Sequence, residues 1–406
     1  MTTGYVAPTT ASKLFFNNAN TFYVALGGSD TNGNDGSVDR PFRTLQFAVT
    51  TAASGDCILV GPGTFNESVN ITKNLTISAL VPGATNIDCA TAATTTLTIT
   101  GTVANQTLLW EGIGIANTDN TGTTSLALAV IGGAVAGTYV FKNCNIVGGS
   151  PTLNAGTAVS FTGNAGNGTI LDIQSPSVIG GHYLNMLHAA DQVIYRNCSF
   201  VCGPAIWMRI IGNAAGNVSV IASTLRGTTG TEYIEFGNGA AVTAILNLIS
   251  SKLNCYLRLN TTAAGYVNIE DSEVTYITAN QADQIVRYVN GDYITIQMMN
   301  IDLAPGAVPA PHTMYTVPAL RHFYPERVVT TNRLADSHAA LVYQYNGTAG
   351  GSVVGPVGAA SLRQGSTINT CLIDPMAAAA VLEFSVTTAS LTDADRGEAK
   401  VMGRLV

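Results

Sequence analysis

Apolar residues recur through the middle of the chain at fixed offsets from a small or medium anchor residue. Five and three positions before Cys144 stand Tyr139 and Phe141, and two positions after it stands Ile146. The same offsets give Leu171, Ile173 and Val178 around Pro176, and Val193, Tyr195 and Phe200 around Cys198. Around Ser223 they give Val218, Val220 and Leu225; around Ser251, Leu246, Leu248 and Leu253; around Ser272, Val267, Ile269 and Val274. Met299, with Ile294, Ile296 and Ile301, extends the series forward. Ile113, with Leu108, Trp110 and Ile115, and Leu80, with Leu75 and Ile77, extend it backward. The anchors follow one another at a mean of about 27 residues, the length of one stacked unit.

The two positions before each anchor alternate as in a strand with one face buried. The anchor lets the chain turn, and the position after it points inward again. One such unit cannot bury its apolar row alone, so neighbouring units must stack into a solenoid. The residue just before the anchor is Asn143, Asn197, Ser250 or Asp271 in four units. It reads as a turn position whose side chain bonds the backbone or its counterpart in the next coil.

Composition agrees with a β-rich chain. Hydrophobic residues are 46% and charged residues only 11%, with 42 glycines among 406 residues. The formal charge of -7 excludes the basic face that a nucleic-acid binder needs. The seven cysteines are scattered and odd in number, which suits a reducing site of synthesis. Met1 to Asn20 lacks an apolar core of signal-peptide length, so export by the general route is not expected. The uncharged stretch from Thr121 to Phe141 reads as two strands joined by a glycine turn and not as a membrane span.

Ahead of the repeat, Phe22 to Val24 reads as a short strand. Asp39 stands as a helix N-cap, and Phe42, Leu45 and Val49 share one helical face. Phe22-Tyr23-Val24, Gly28-Ser29-Asp30, Asn34-Asp35-Gly36, Pro41 to Gln46, Gly55-Asp56 and Val60 to Glu67 follow in fixed order. This segment, about residues 22 to 71, resembles the opening of pectin-lyase-like right-handed parallel β-helix proteins. The resemblance implies an all-β solenoid, a right-handed parallel β-helix with a short N-terminal capping helix. It implies function weakly, because lyases, hydrolases, surface proteins and viral spikes share the fold.

Chemistry on such a coil needs carboxylates or a metal site. Residues 81 to 190 hold five charged residues: Asp88, Glu111, Asp119, Lys142 and Asp172. The denser candidates for catalytic acids are Glu232 with Glu235, and Asp271 with Glu273, beside Glu270. Glu232 and Glu235, three apart, should face opposite sides of a strand, and solvated positions are expected for all of them. Asp30 to Gly36 has calcium-loop composition with the wrong spacing, and reads as a turn. Cys198 and Cys202 lack two further ligands for zinc. Cys144 and Cys198 share a column with the Pro176 coil between them, beyond disulfide reach. Asp336, Ser337 and His338 are adjacent in sequence, which is not triad geometry. No metal or cofactor is expected.

The expected organisation is a docking arm over 1–20, the β-helix over 21–304, a linker over 305–336 and a small β-rich capping, oligomerisation or attachment domain over 337–406. Ala340 to Tyr345 and Val381 to Val386 read as strands, and Asp393 to Val406 as a helix or arm. The expected function is a structural virion surface protein, assembled in the host cytoplasm as a homotrimer. Such a tail spike, fibre or capsid decoration would touch other virion proteins and a host-surface glycan. The alternative is a polysaccharide-degrading lyase or hydrolase on the same fold.

Overall fold

The computed structural model describes residues 20–31, 33–89, 94–103, 105–118, 125–133, 136–148, 157–202, 206–212, 214–227, 232–237, 243–260, 265–279 and 284–302, and beyond these the strands named below. The chain divides into two compact units. One comprises Met1–Ile234 with Lys252–Tyr256, the other Glu235–Ser251 with Leu257–Val406.

The first unit is a parallel β-helix whose coils each supply three strands. In the first row the strands Cys57–Val60, Leu75–Ala79, Gln106–Glu111, Gly137–Lys142, Thr169–Gln174, Gln192–Arg196 and Asn217–Ile221 pair in parallel and in register. Leu108, Tyr139, Leu171, Val193 and Val218 stack in one inward column, and Trp110, Phe141, Ile173, Tyr195 and Val220 in the next. All ten are at most 2% exposed, so the spine is closed at every level. The second row carries Ile115, Ile146, Val178, Phe200, Leu225 and Leu253 inward. Burying each such side chain contributes about 1.5–3 kcal/mol, which is why rows of this length can outweigh the ordering of the chain.

The third row was not apparent from the anchor pattern. Its strands run from Val69–Ile71 and Thr95–Thr100 to Leu126–Ile131, Thr157–Thr162, Gly181–Asn185 and Ile206–Ile211, again parallel. Leu97, Leu128, Val159, His182 and Met208 share one inward column. The uncharged stretch before Phe141 thus supplies two strands, Leu126–Ile131 and Gly137–Lys142. Gly132 and Gly133 lie between them, and a Cβ on Gly133 would sit 1.4 Å from the Gly101 carbonyl oxygen of the previous coil. Among the described residues no helix is long and apolar enough to cross a membrane.

Three of the anchor turns share one conformation. Asn143, Asn197 and Ala222 in this unit all take left-handed φ, near 50°. Asn suits that region because its short polar side chain tolerates it. Leu80 departs from the expected pattern. It is 50% exposed, in a loop that delays register until Thr85 pairs with Ile113.

The first coil is capped. Thr21–Val24 pairs in parallel with Cys57–Val60, and its other edge is covered by bonds from Phe42 N to Tyr23 O and from Tyr23 N to Gly36 O. The helix Leu45–Thr51 buries Leu45, Ala48 and Val49. Its N-cap is Thr44, not the expected Asp39, which lies in the preceding turn. Thr44 Oγ1 accepts from Phe47 N, and Asp30 holds Thr44 by its amide and its hydroxyl. Glu67 accepts from the Leu45 and Gln46 amides at 2.8 Å each, satisfying donors the helix leaves open. Burial nevertheless raises the Glu67 pKa, outweighing those two bonds. At the other end Lys73 donates to the carbonyls of Val49, Thr50 and Ala52.

The second unit contains the parallel strands Ile245–Ile249, Tyr266–Glu270 and Gln284–Asn290. Leu246, Val267 and Val286 align, as do Leu248, Ile269 and Tyr288. Ser250 and Asp271 repeat the left-handed turn. The Met299 unit is not a further coil. Tyr293–Asp302 runs antiparallel to Gln284–Asn290, with Ile294 opposite Val289 and Ile296 opposite Arg287. Only Gly291 and Asp292 join the two strands, a connection of hairpin length and far too short for a parallel crossover.

Arg396–Leu405 and Phe323–Asn332 extend this antiparallel sheet, followed by Ser366–Thr370. The end of the chain expected as a helix or arm is therefore a strand, and so is much of the segment expected as a linker. A separate sheet joins His312–Thr316, Val381–Thr388, Ala340–Asn346 and Ser352–Val353. The expected docking arm, apart from Asn20, lies outside the described residues, as do Asp336, Ser337 and His338.

Candidate functional site

The candidate acids occupy different environments. Glu232, just ahead of the strand Tyr233–Gly237, is fully buried in the first unit. Its carboxylate lies against Gly227, where a Cβ would come within 2.3 Å of Oε2, and its carbonyl accepts from Tyr256 N at 3.0 Å. Burial, then the Glu232 charge, pushes the Cys255 thiol up to about 12. Glu235, in the second unit, is 4% exposed and accepts from Asn260 Nδ2 at 3.2 Å. The expectation of solvated positions fails for this pair. Strand alternation did not apply because Glu232 stands outside the strand, and the bond from Asn260 offsets part of the cost of burying Glu235.

Asp271 and Glu273 are exposed, as expected. Asp271 holds the left-handed turn at φ 45°, and Glu273 N donates to Ser251 O at 2.9 Å. These two residues thus flank an anchor turn of the second unit.

The calcium-like loop is spent on its own folding. Asp30 accepts from the Arg43 and Thr44 amides, Asn34 Nδ2 donates to Pro41 O, and Asp35 takes Ser37 N and pairs with Arg40. Among the described residues no group of three or more His, Cys, Asp or Glu is placed to hold a metal ion.

The anchor column makes a ladder of hydroxyl bonds. Cys198 N donates to Ser223 Oγ at 3.0 Å, and Ser223 Oγ donates to Ile221 O. In the second unit Ser251 N donates to Ser272 Oγ at 2.9 Å, and Ser272 Oγ donates to Glu270 O. Each hydroxyl therefore ties its own turn to the coil before it. The expectation gave such bonds to the residue before the anchor, and the structure gives these to the hydroxyls of the anchors Ser223 and Ser272.

His182 takes a role in the core that its sequence context does not announce. Its ring fills a core position of the third row, with Nδ1 2.8 Å from the Tyr195 hydroxyl and edge-on to the Tyr195 and Phe200 rings. Burial drives its pKa down to about 3, so the ring is neutral. The alternation His182-Tyr183-Leu184 is the only signal of this placement in the sequence. Burial also pushes the Cys144 thiol up to about 12 and Cys198 up to about 11, which makes both inert core residues.

On the outside, the first row carries charge. Arg196 Nε bridges both Asp172 carboxylate oxygens at 3.2 Å. The outward positions of the second row are uncharged from Gly114 to Val201. The third row presents Ile131 and Tyr183, 44% and 38% exposed, with Arg209 beside Tyr183 in register.

Several solved structures are similar in backbone arrangement. Pectate lyase Pel9A superposes with a TM-score of 0.45 at 14% identity, over 67% of this chain and 80% of the lyase. Pectin methylesterase PemA from Erwinia chrysanthemi gives 0.39 at 13% identity, over 64% of this chain and 90% of the esterase. The enzymatically active domain of bacteriophage CBA120 tailspike protein 4 gives 0.33 at 10% identity, over 89% of this chain and 63% of that domain. These likenesses concern the fold alone. No protein-family model matches the sequence, and no curated protein matches it.

Proposed function

We propose that this chain is a structural protein of a virion surface, a tail spike, fibre or capsid decoration, in which the β-helix is a rigid rod for attachment or assembly. The observation that carries this reading is the continuous register of the first row in the first unit. Its inward columns are filled at every level, and its buried polar groups, Asp191 and Ser223 among them, are used to close turns. Such a stack resists bending and presents long flat faces. Assembly as a homotrimer in the host cytoplasm, contacts to other virion proteins through 1–20 or 337–406, and a host-surface glycan as ligand belong to the same reading. The free buried thiols support synthesis in a reducing compartment.

The polysaccharide-degrading alternative needs two carboxylates flanking a bond in an accessible groove. Burial of Glu232 and Glu235 and the turn role of Asp271 count against it. The decisive experiment labels purified virus particles with an antibody to this chain. Labelling of the particle surface is expected. Absence from particles, or cleavage of capsular or pectic polysaccharide that is lost in Glu232→Gln or Asp271→Asn, would overturn the reading.

A further inference from the structure

We infer that the outward face of the second row in the first unit is the surface on which three copies of this chain pack about a common axis; this rests on the homotrimer reading above. Ala116, Val147, Ile179 and Val201 stand in register on consecutive strands and point away from the core. The inward positions beside them, Ile115, Ile146, Val178 and Phe200, already fill the interior. The outward column is half-buried and apolar, so nothing in the packing of one coil requires it.

Charge selects the occupant. The column begins after Asp88, which pairs with Ala116, and ends before Arg226, which pairs with Val201. Between them no outward strand position is charged. The first row over the same coils presents Glu111, Lys142, Asp172 and Arg196, and the third presents Arg209. On a rotation axis each side chain meets its own copies, so a charge there meets its like where water is excluded. Only a neutral face is complementary to itself. Asn145 and Ser199, exposed beside the apolar column, both donate and accept, so they can bond to their own copies.

The test compares the full chain with Val147→Lys, Ile179→Lys and, as a first-row control, Val140→Lys, by light scattering and circular dichroism. The expected result is a trimeric parent and control. The two second-row variants should keep their strand signature and need at least a hundred-fold more protein to associate. A Ser199→Cys variant, oxidised, should form disulfides between chains, while Val140→Cys should not; this reads the face even if the lysine variants fail to fold. Trimers in every variant, with no interchain link at Ser199→Cys, would overturn the assigned face and leave the homotrimer reading intact. A monomeric parent would overturn both.

Discussion

The amide of Cys198 donates to the hydroxyl of Ser223, 3.0 Å away and one coil further along the stack. That hydroxyl passes its own hydrogen to Ile221 O at 2.7 Å, so one side chain closes a turn and joins two coils. Ser223→Ala removes both bonds and leaves a buried amide without that acceptor. The loss should be about 1–3 kcal/mol by urea unfolding. A variant as stable as the parent would mean that the ladder is incidental.

The turn residue beside it predicts the opposite sign. Ala222 holds φ 48° with an exposed side chain, while its column neighbour is Asn197. A left-handed residue with a Cβ costs about 1–2 kcal/mol, and glycine relieves that strain. Part of the relief is offset by the greater freedom of glycine in the unfolded chain, so Ala222→Gly should gain about 0.5–1 kcal/mol. Asn197→Val should lower the unfolding midpoint. A destabilised Ala222→Gly would contradict the turn geometry.

His182 makes the first unit sensitive to acid. Its folded pKa, about 3, lies below its ordinary value of 6.5, because burial opposes the charged ring. Between those values the unfolded chain binds a proton that the folded chain refuses. Stability is therefore fully present above about pH 6.5 and falls as the pH drops toward 3, with a slope of at most about 1.4 kcal/mol per pH unit from this group. His182→Phe should weaken the protein at pH 7, since it strips the Tyr195 hydroxyl of its partner, yet flatten the slope between pH 6 and 4 by up to one proton. An unchanged slope would remove His182 from the acid response.

Buried thiols give a labelling pattern. Cys144, Cys198 and Cys255 are 4% exposed or less, and burial holds all three protonated at pH 8. Iodoacetamide followed by peptide mapping should leave them unmodified in the native protein and alkylate them in urea. Rapid native labelling at any of the three would mean that its coil opens readily.

The first two rows were legible in the sequence because the turn at the anchor has constant length. Tyr139, Phe141 and Ile146 keep the same offsets as Val193, Tyr195 and Phe200. The third row escaped because the loops on either side of it vary, so Val159, His182 and Met208 share a column without sharing an offset. Leu80 and Met299 matched by spacing alone. A loop displaces the first, and a two-residue hairpin reverses the strand that carries the second. Asp39 had cap chemistry, but Thr44 is the residue that Asp30 and the helix amides engage. For Glu232 and Glu235, burial depends on what other coils place over them, which local alternation does not encode.

Register between coils underlies the core, the turn ladder and the uncharged face. It is read most directly by paired cysteines on outward positions of the third row, where Ser160 lies opposite Tyr183. Neighbouring Cα atoms on paired strands are within disulfide reach, and a diagonal pair is not. Oxidised Ser160→Cys/Tyr183→Cys should give an intrachain disulfide by peptide mapping, and Ser160→Cys/Asn185→Cys should give none. A bond in the second variant and none in the first would contradict the stacked arrangement.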